Sequence, residues 1–153
     1  VGVAFDLFAE TVGLLADLER RTVPYAVAGA LALAIHGVPR ATTDIDLLVR
    51  PEDVNALLSI ARTRGFGIEA LPMRFSDGME VRRVTKAEGA DLLTLDLLVV
   101  NRNLEPVWAS RERVATEHGE FSVVSRSGLI QMKAWAGRPQ DLADIQRLQD
   151  LDR

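Results

Sequence analysis

The stretch GVPRATTDIDLLVR, residues 37–50, sets Asp44 and Asp46 either side of Ile45 and runs straight on into apolar residues. In a strand, side chains at i and i+2 share a face with about 7 Å between their α-carbons, so the two carboxylates project together. Two like charges at that range repel and resist desolvation, and a partly buried pair needs a compensating cation or basic partners. Magnesium suits this chemistry, because it is held by one or two carboxylates together with substrate phosphates and needs no closed protein cage. The plainer alternative is structural: one acid caps a loop while the other meets Arg40 or Arg50 at the strand edge. A third acid, Asp96, lies inside the otherwise apolar LLTLDLLVV, residues 92–100. It either joins the pair or is a buried acid matched to a Lys or Arg.

The elements that must position these acids can be read from periodicity and breakers. Phe5, Leu7, Phe8, Val12, Leu14, Leu15 and Leu18 trace a helical apolar face over about residues 4–20, ended by Pro24. YAVAGA reads as a short buried strand broken at Gly29, and LALAIHG as a helix closed by Gly37. DIDLLVR is a second strand, and Pro51 opens a helix that Gly65 stops. VRRVT, residues 81–85, and LLTLDLLVV read as neighbouring strands joined through KAEGAD. EPVWAS reads as a short helix and FSVVS as a short strand, followed by helices in SGLIQMKAWAG and PQDLADIQRLQDL. Strands alternating with helices, together with one hairpin, predict a mixed sheet flanked by helices.

With 153 residues and 48% apolar content, the chain is long enough for one domain with a real core, and residues 1–153 are read as that domain. It contains no cysteine and only two histidines, which excludes thiolate sites and cysteine nucleophiles and leaves oxygen as the ligand for any metal. No apolar run reaches the roughly 20 residues of a membrane helix, and no export signal is evident, so a cytoplasmic protein without membrane contact is expected. The net charge of −4 argues only weakly against nucleic-acid binding, since separate basic clusters fit under a small total.

Val27 to Ala30, the gap over residues 31–43, the Asp44–Asp46 pair and the later Asp96 together resemble the nucleotidyltransferase fold superfamily. Its pattern is an apolar residue, Gly, Gly or Ser, a gap of about a dozen residues, Asp-x-Asp or Asp-x-Glu, and a third carboxylate on a later strand. HGVPRATTDIDLLV and LIQMKAWAGRPQDLADIQRL are similar to strings in small bacterial nucleotidyltransferases related to abortive-infection and toxin-antitoxin systems. The resemblance covers roughly residues 23–150. It implies an α+β fold, a nucleotidyltransferase-like mixed sheet flanked by helices with further helices at the C-terminal end. It also implies magnesium-dependent, or manganese-dependent, transfer of a nucleoside monophosphate from a nucleoside triphosphate to an acceptor, with release of pyrophosphate.

In that scheme Asp44 and Asp46 hold two ions about 3.5–4 Å apart. Asp96 binds the ion beside the acceptor or takes the acceptor's proton. Gly29 and Ala30 adjoin the phosphates through the amides opening the next helix, and Lys133 reaches the nucleotide. Ala30 stands where the family often has Ser, so a hydroxyl contact to phosphate is lost; a degenerate relative that only binds or docks is the competing reading. Arg40 either clamps a phosphate or pairs with Asp44 or Glu52. Asp141 and Asp144 read as helix-start charges and ion-pair partners, with Arg138 as the candidate partner. His36 reads as packed or capping, and Trp108 and Trp135 as core. For the acceptor, separated basic clusters at Arg62 and Arg64, Arg82 to Lys86, and Arg111 to Arg113 favour RNA over a protein hydroxyl or an aminoglycoside-type small molecule. The toxin-antitoxin likeness implies an antitoxin protein as partner.

Overall fold

In the computed structural model, which describes residues 6–151, Asp6 opens the first helix by accepting a hydrogen bond from the Ala9 amide at 3.0 Å. This helix, α1 (Leu7–Arg20), buries Leu14, Leu15 and Leu18 along one face. The expected start near residue 4, with Phe5, lies outside the described residues. The chain then enters β1 (Ala26–Ala28), turns at Gly29 into α2 (Gly29–Ile35), and returns in β2 (Asp44–Val49). Pro51–Asp53 forms a single 3-10 turn leading into α3 (Val54–Thr63), after which Gly65 adopts a left-handed φ of 94° that ends the helix.

Two short strands, β3 (Ile68–Glu69) and β4 (Met73–Arg74), precede the hairpin of β5 (Glu80–Glu88) and β6 (Asp91–Val99). The remainder is α4 (Glu105–Ala109), β7 (Glu112–Thr116), β8 (Gly119–Val123), α5 (Arg126–Ala136) and α6 (Pro139–Asp150). The sheet is mixed and eight-stranded, in the order β3-β5-β6-β2-β1-β8-β7, with β4 also paired to β5. Sequence periodicity found the long elements and missed β3, β4 and β7. Those three are short, lie at the sheet margins and are mostly exposed, so they carry no apolar alternation.

The central strands are β2 and β6, paired in parallel, and β1, antiparallel to β2. Ile45 and Leu47 of β2 and Leu95 and Leu97 of β6 are fully buried. In register with Leu47, Val27 points toward Thr11, Val12 and Leu15 of α1. An Arg64–Asp17 ion pair at 3.0 Å ties α1 to the end of α3 on that side. The alternate positions, including Asp46 and Leu98, face α5. Period-two alternation therefore gives one sheet face to α1 and α3, and the other to the acids and the C-terminal helices. No described helix is long and apolar enough to cross a membrane.

Candidate active site

Asp44 is the first residue of β2, held by its amide donating to Thr42 Oγ1 at 3.1 Å. Asp46 follows on the same face, opposite Ala28 in the antiparallel register with β1. One residue beyond Ala28 the chain leaves the sheet at Gly29, whose φ of 62° turns the extended strand directly into α2. Only a residue without a Cβ adopts this readily. It also fits no Cβ: one built at residue 29 would lie 2.1 Å from Asp46 Oδ2. Ala30 stands in the first turn of α2, where no side chain caps the helix.

Asp96 lies beside Asp46 because β2 and β6 run parallel with these two residues in register; Asp44 pairs likewise with Thr94. Residues in register share a sheet face. The three acids therefore occupy one face, with Asp44 exposed, Asp46 half-buried and Asp96 buried. Burial, and then the Asp96 and Asp44 charges, push the Asp46 carboxyl up to about 6. The acids are not, however, gathered around one point: among the described residues no three Asp, Glu or His side chains are grouped so as to hold a metal ion.

Both oxygens of Asp96 are engaged by Arg83, with Nε donating to Oδ1 at 2.8 Å and Nη2 to Oδ2 at 3.0 Å. The pairing alternative weighed for this acid is thus present in the structure. Arg83 is opposite Asp96 in the β5–β6 register, and its guanidinium is held more firmly protonated by that hydrogen bond and by the charges of Asp96, Asp44 and Asp46. Sequence reasoning grouped Arg83 with Arg82 and Lys86 as one basic run. The signal that separates it is the tight turn: counting outward from Glu88 opposite Asp91 across Gly89 reaches Arg83 opposite Asp96.

Across a cleft of about 190 Å³ from Gly29, Asp46 and Leu98 stand Leu129, Met132, Lys133 and Ala136 of α5, with Arg138 and Asp141. Lys133 is anchored at 2.9 Å to Asp144 and at 3.4 Å to Asp141 of α6. Arg40 also pairs with Asp144, instead of with Asp44 or Glu52. Arg138 donates to Asp141 through Nε at 2.7 Å and Nη2 at 3.2 Å, and the Arg138 amide donates to the same carboxylate. These hydrogen bonds hold the Asp141 carboxyl below the usual range. Asp141 and Asp144 are each 1% exposed, so α6 places two desolvated carboxylates behind the cations that line the cleft.

The basic clusters that favoured RNA in the sequence are mostly engaged by neighbouring side chains. Arg62 and Arg82 pair with Glu69 at 3.3 and 3.2 Å, Lys86 with Glu10 at 3.0 Å, and Arg113 with Glu120 at 3.2 Å. Arg82 and Lys86 alternate with Arg83 and so point to the opposite sheet face. Arg111 lies over Trp108 with its guanidinium carbon 4.1 Å from the ring centroid. His36 ends α2 and its Nε2 donates to the Val124 carbonyl at 2.8 Å, a packing role. Trp108 is buried as expected, whereas Trp135, read as core, is exposed because it falls on the outer side of α5.

No protein-family model matches the chain, and no curated protein matches it by sequence. Solved structures do match in three dimensions. A Thermotoga maritima protein proposed to be a nucleotidyltransferase superposes with a TM-score of 0.65 at 15% identity, over 99% of this chain and 98% of that one. The lincosamide antibiotic adenylyltransferase LnuA, solved with lincomycin bound, gives 0.65 at 12% identity over 95% of this chain and 97% of that one. ANT(2")-Ia, in complex with adenylyl-2"-tobramycin, gives 0.59 at 18% identity over 92% and 87%. The architecture is the α+β fold of nucleotidyltransferases.

Proposed function

We propose that this chain, which has the nucleotidyltransferase fold, is an enzyme that transfers a nucleoside monophosphate from a nucleoside triphosphate to a hydroxyl of a small-molecule acceptor. The observation that carries the reading is the opposition of Asp44 and Asp46 on the sheet to Lys133 and Arg138 on the helical side, with Gly29 and Asp46 lining their shared cleft. The residues fit a magnesium or manganese ion. Asp44 and Asp46 offer hard oxygen donors, and the upward push on Asp46 from burial and then from the Asp96 and Asp44 charges is a cost that a divalent cation relieves. When bound, the ion supplies Lewis-acid polarisation of the phosphoryl oxygens.

The chain's own residues do the positioning on which phosphoryl transfer depends. Lys133, Arg138 and Arg40, held from behind by Asp141 and Asp144, take the triphosphate's charge. Gly29 leaves room for the Asp46 carboxylate. The acceptor oxygen attacks the α-phosphorus, the bond from that phosphorus to the pyrophosphate oxygen breaks, and pyrophosphate leaves. The hydroxyl proton passes to Asp96, which retains lone pairs beyond those used by Arg83.

Spread basic clusters favoured RNA as acceptor at the level of sequence; in the structure Arg62, Arg64, Arg82, Arg83, Lys86 and Arg113 each meet a carboxylate, and Arg111 lies over Trp108. On the exposed strands beside the acids the face instead carries Ile68, Thr85, Leu92 and Thr94, which suits a low-charge acceptor. The neighbours solved with lincomycin and with adenylylated tobramycin support the same choice.

The test is incubation with each α-labelled triphosphate and magnesium, in parallel with lincosamides, aminoglycosides and total RNA. Label on a small molecule, lost in Asp44→Asn, is the expected result. Label on RNA, with steep suppression by salt, would overturn the acceptor assignment while leaving nucleotidyl transfer standing. No labelled product, together with no stabilisation by metal and triphosphate, would leave a docking module.

A further inference from the structure

Arg83 is the one basic side chain that the β5–β6 hairpin sets on the acid-bearing face, and it is aimed at the third carboxylate. A bidentate guanidinium–carboxylate contact is among the strongest and most directional of side-chain pairings. Here its partner is only 8% exposed. The contact uses Nε and Nη2, leaves Nη1 unengaged by Asp96, and keeps 45% of the Arg83 side chain exposed. Asp96 is in register with Asp46, so the guanidinium stands one strand further along the row that carries Asp46 and Asp96.

We infer that Arg83 takes the place of a second metal ion: Asp44 and Asp46 form a one-ion site, and the Arg83–Asp96 pair supplies the acceptor side with a fixed positive charge and a carboxylate. The inference rests on the nucleotidyl-transfer reading and deepens it. A cation built into the protein neutralises Asp96 without being recruited from solution, and its fixed positive charge against both carboxylate oxygens disfavours a second divalent ion there. Arg83 then presents Nη1 toward the developing charge on the transferred phosphoryl group, while Asp96 keeps free lone pairs for the acceptor hydroxyl.

The experiment counts manganese bound to the full chain, by calorimetry and by electron paramagnetic resonance, at saturating α,β-methylene triphosphate. Wild type binds one ion. Arg83→Gln frees Asp96 and binds two, and the Arg83→Gln/Asp96→Asn double variant returns to one. Arg83→Lys stays at one and keeps part of the turnover that Arg83→Gln loses. Circular dichroism of each variant identifies any that fail to fold; the wild-type count and the double variant, which removes the unpaired buried acid, keep the test decisive. Two ions in wild type, or one ion in Arg83→Gln, overturns the role of Arg83 while leaving nucleotidyl transfer intact. No manganese bound to wild type overturns both.

Discussion

Gly29 and Asp46 are so close that the left-handed turn and the carboxylate occupy one continuous space: a Cβ on residue 29 would meet Asp46 Oδ2 at 2.1 Å. Gly29→Ala therefore meets two costs, a positive φ of 62° and a forced rotation of Asp46. The backbone cost alone is about 1–2 kcal/mol. The expected outcome is a modest loss in urea-melt stability and a much larger fall in kcat, since the carboxylate proposed to hold the metal is displaced. A variant of unchanged turnover would show that Asp46 need not keep its observed position.

Asp46 sets a pH dependence whose sign follows from its raised pKa. Folded, the group titrates near 6 instead of the ordinary 3.8, so the native state binds more protons than the unfolded chain between those values. Stability accordingly falls as pH rises from about 4 through about 6, and the deficit is fully present above that window. Asp46→Asn should melt higher than wild type at pH 8 without metal, by roughly 1–3 kcal/mol, and match it at pH 4. Equal melting at pH 8 would mean that burial and the Asp96 and Asp44 charges do not raise this carboxyl in the folded state.

Magnesium with a non-hydrolysable triphosphate should raise the melting temperature by selective binding to the folded state, about 2.7 kcal/mol at a hundredfold excess over Kd. Asp44→Asn should lose this shift and all transfer while remaining folded, because its carboxylate is exposed and makes no buried ion pair. Differential scanning fluorimetry across metal and nucleotide concentrations is the measurement. A full shift retained in Asp44→Asn would move the metal elsewhere.

Asp144 is predicted to act as a positioning residue. Buried behind Lys133, which lines the cleft, it also pairs with Arg40 and so ties the two cations together. Asp144→Ala leaves two partly buried positive charges without their shared partner, costing about 2–4 kcal/mol. In steady-state kinetics the KM for triphosphate should rise several-fold with a smaller change in kcat. A stability loss with unchanged KM would assign Asp144 to folding alone.

What the sequence determined by itself was local. The Asp-x-Asp pair had to share a face once its run was a strand, Gly29 and Gly65 had to interrupt regular backbone, and the apolar periods of α1, α3 and the β5–β6 hairpin announced their elements, because each depends on residues within a turn or two of one another. Tertiary structure decided which strand lay beside which and which charge met which. Parallel pairing of β2 with β6 brought Asp96 to Asp46 from 50 residues along the chain, and the hairpin register delivered Arg83 to Asp96. Asp144 reached Arg40 from the last described helix. No local pattern encodes such partners: with 18 basic and 22 acidic residues, nearly any ion pair is chemically available. Only packing of the core, which sets strand order and helix position, selects the few that form, and among them it pairs Arg62, Arg64, Arg82 and Arg113 with carboxylates.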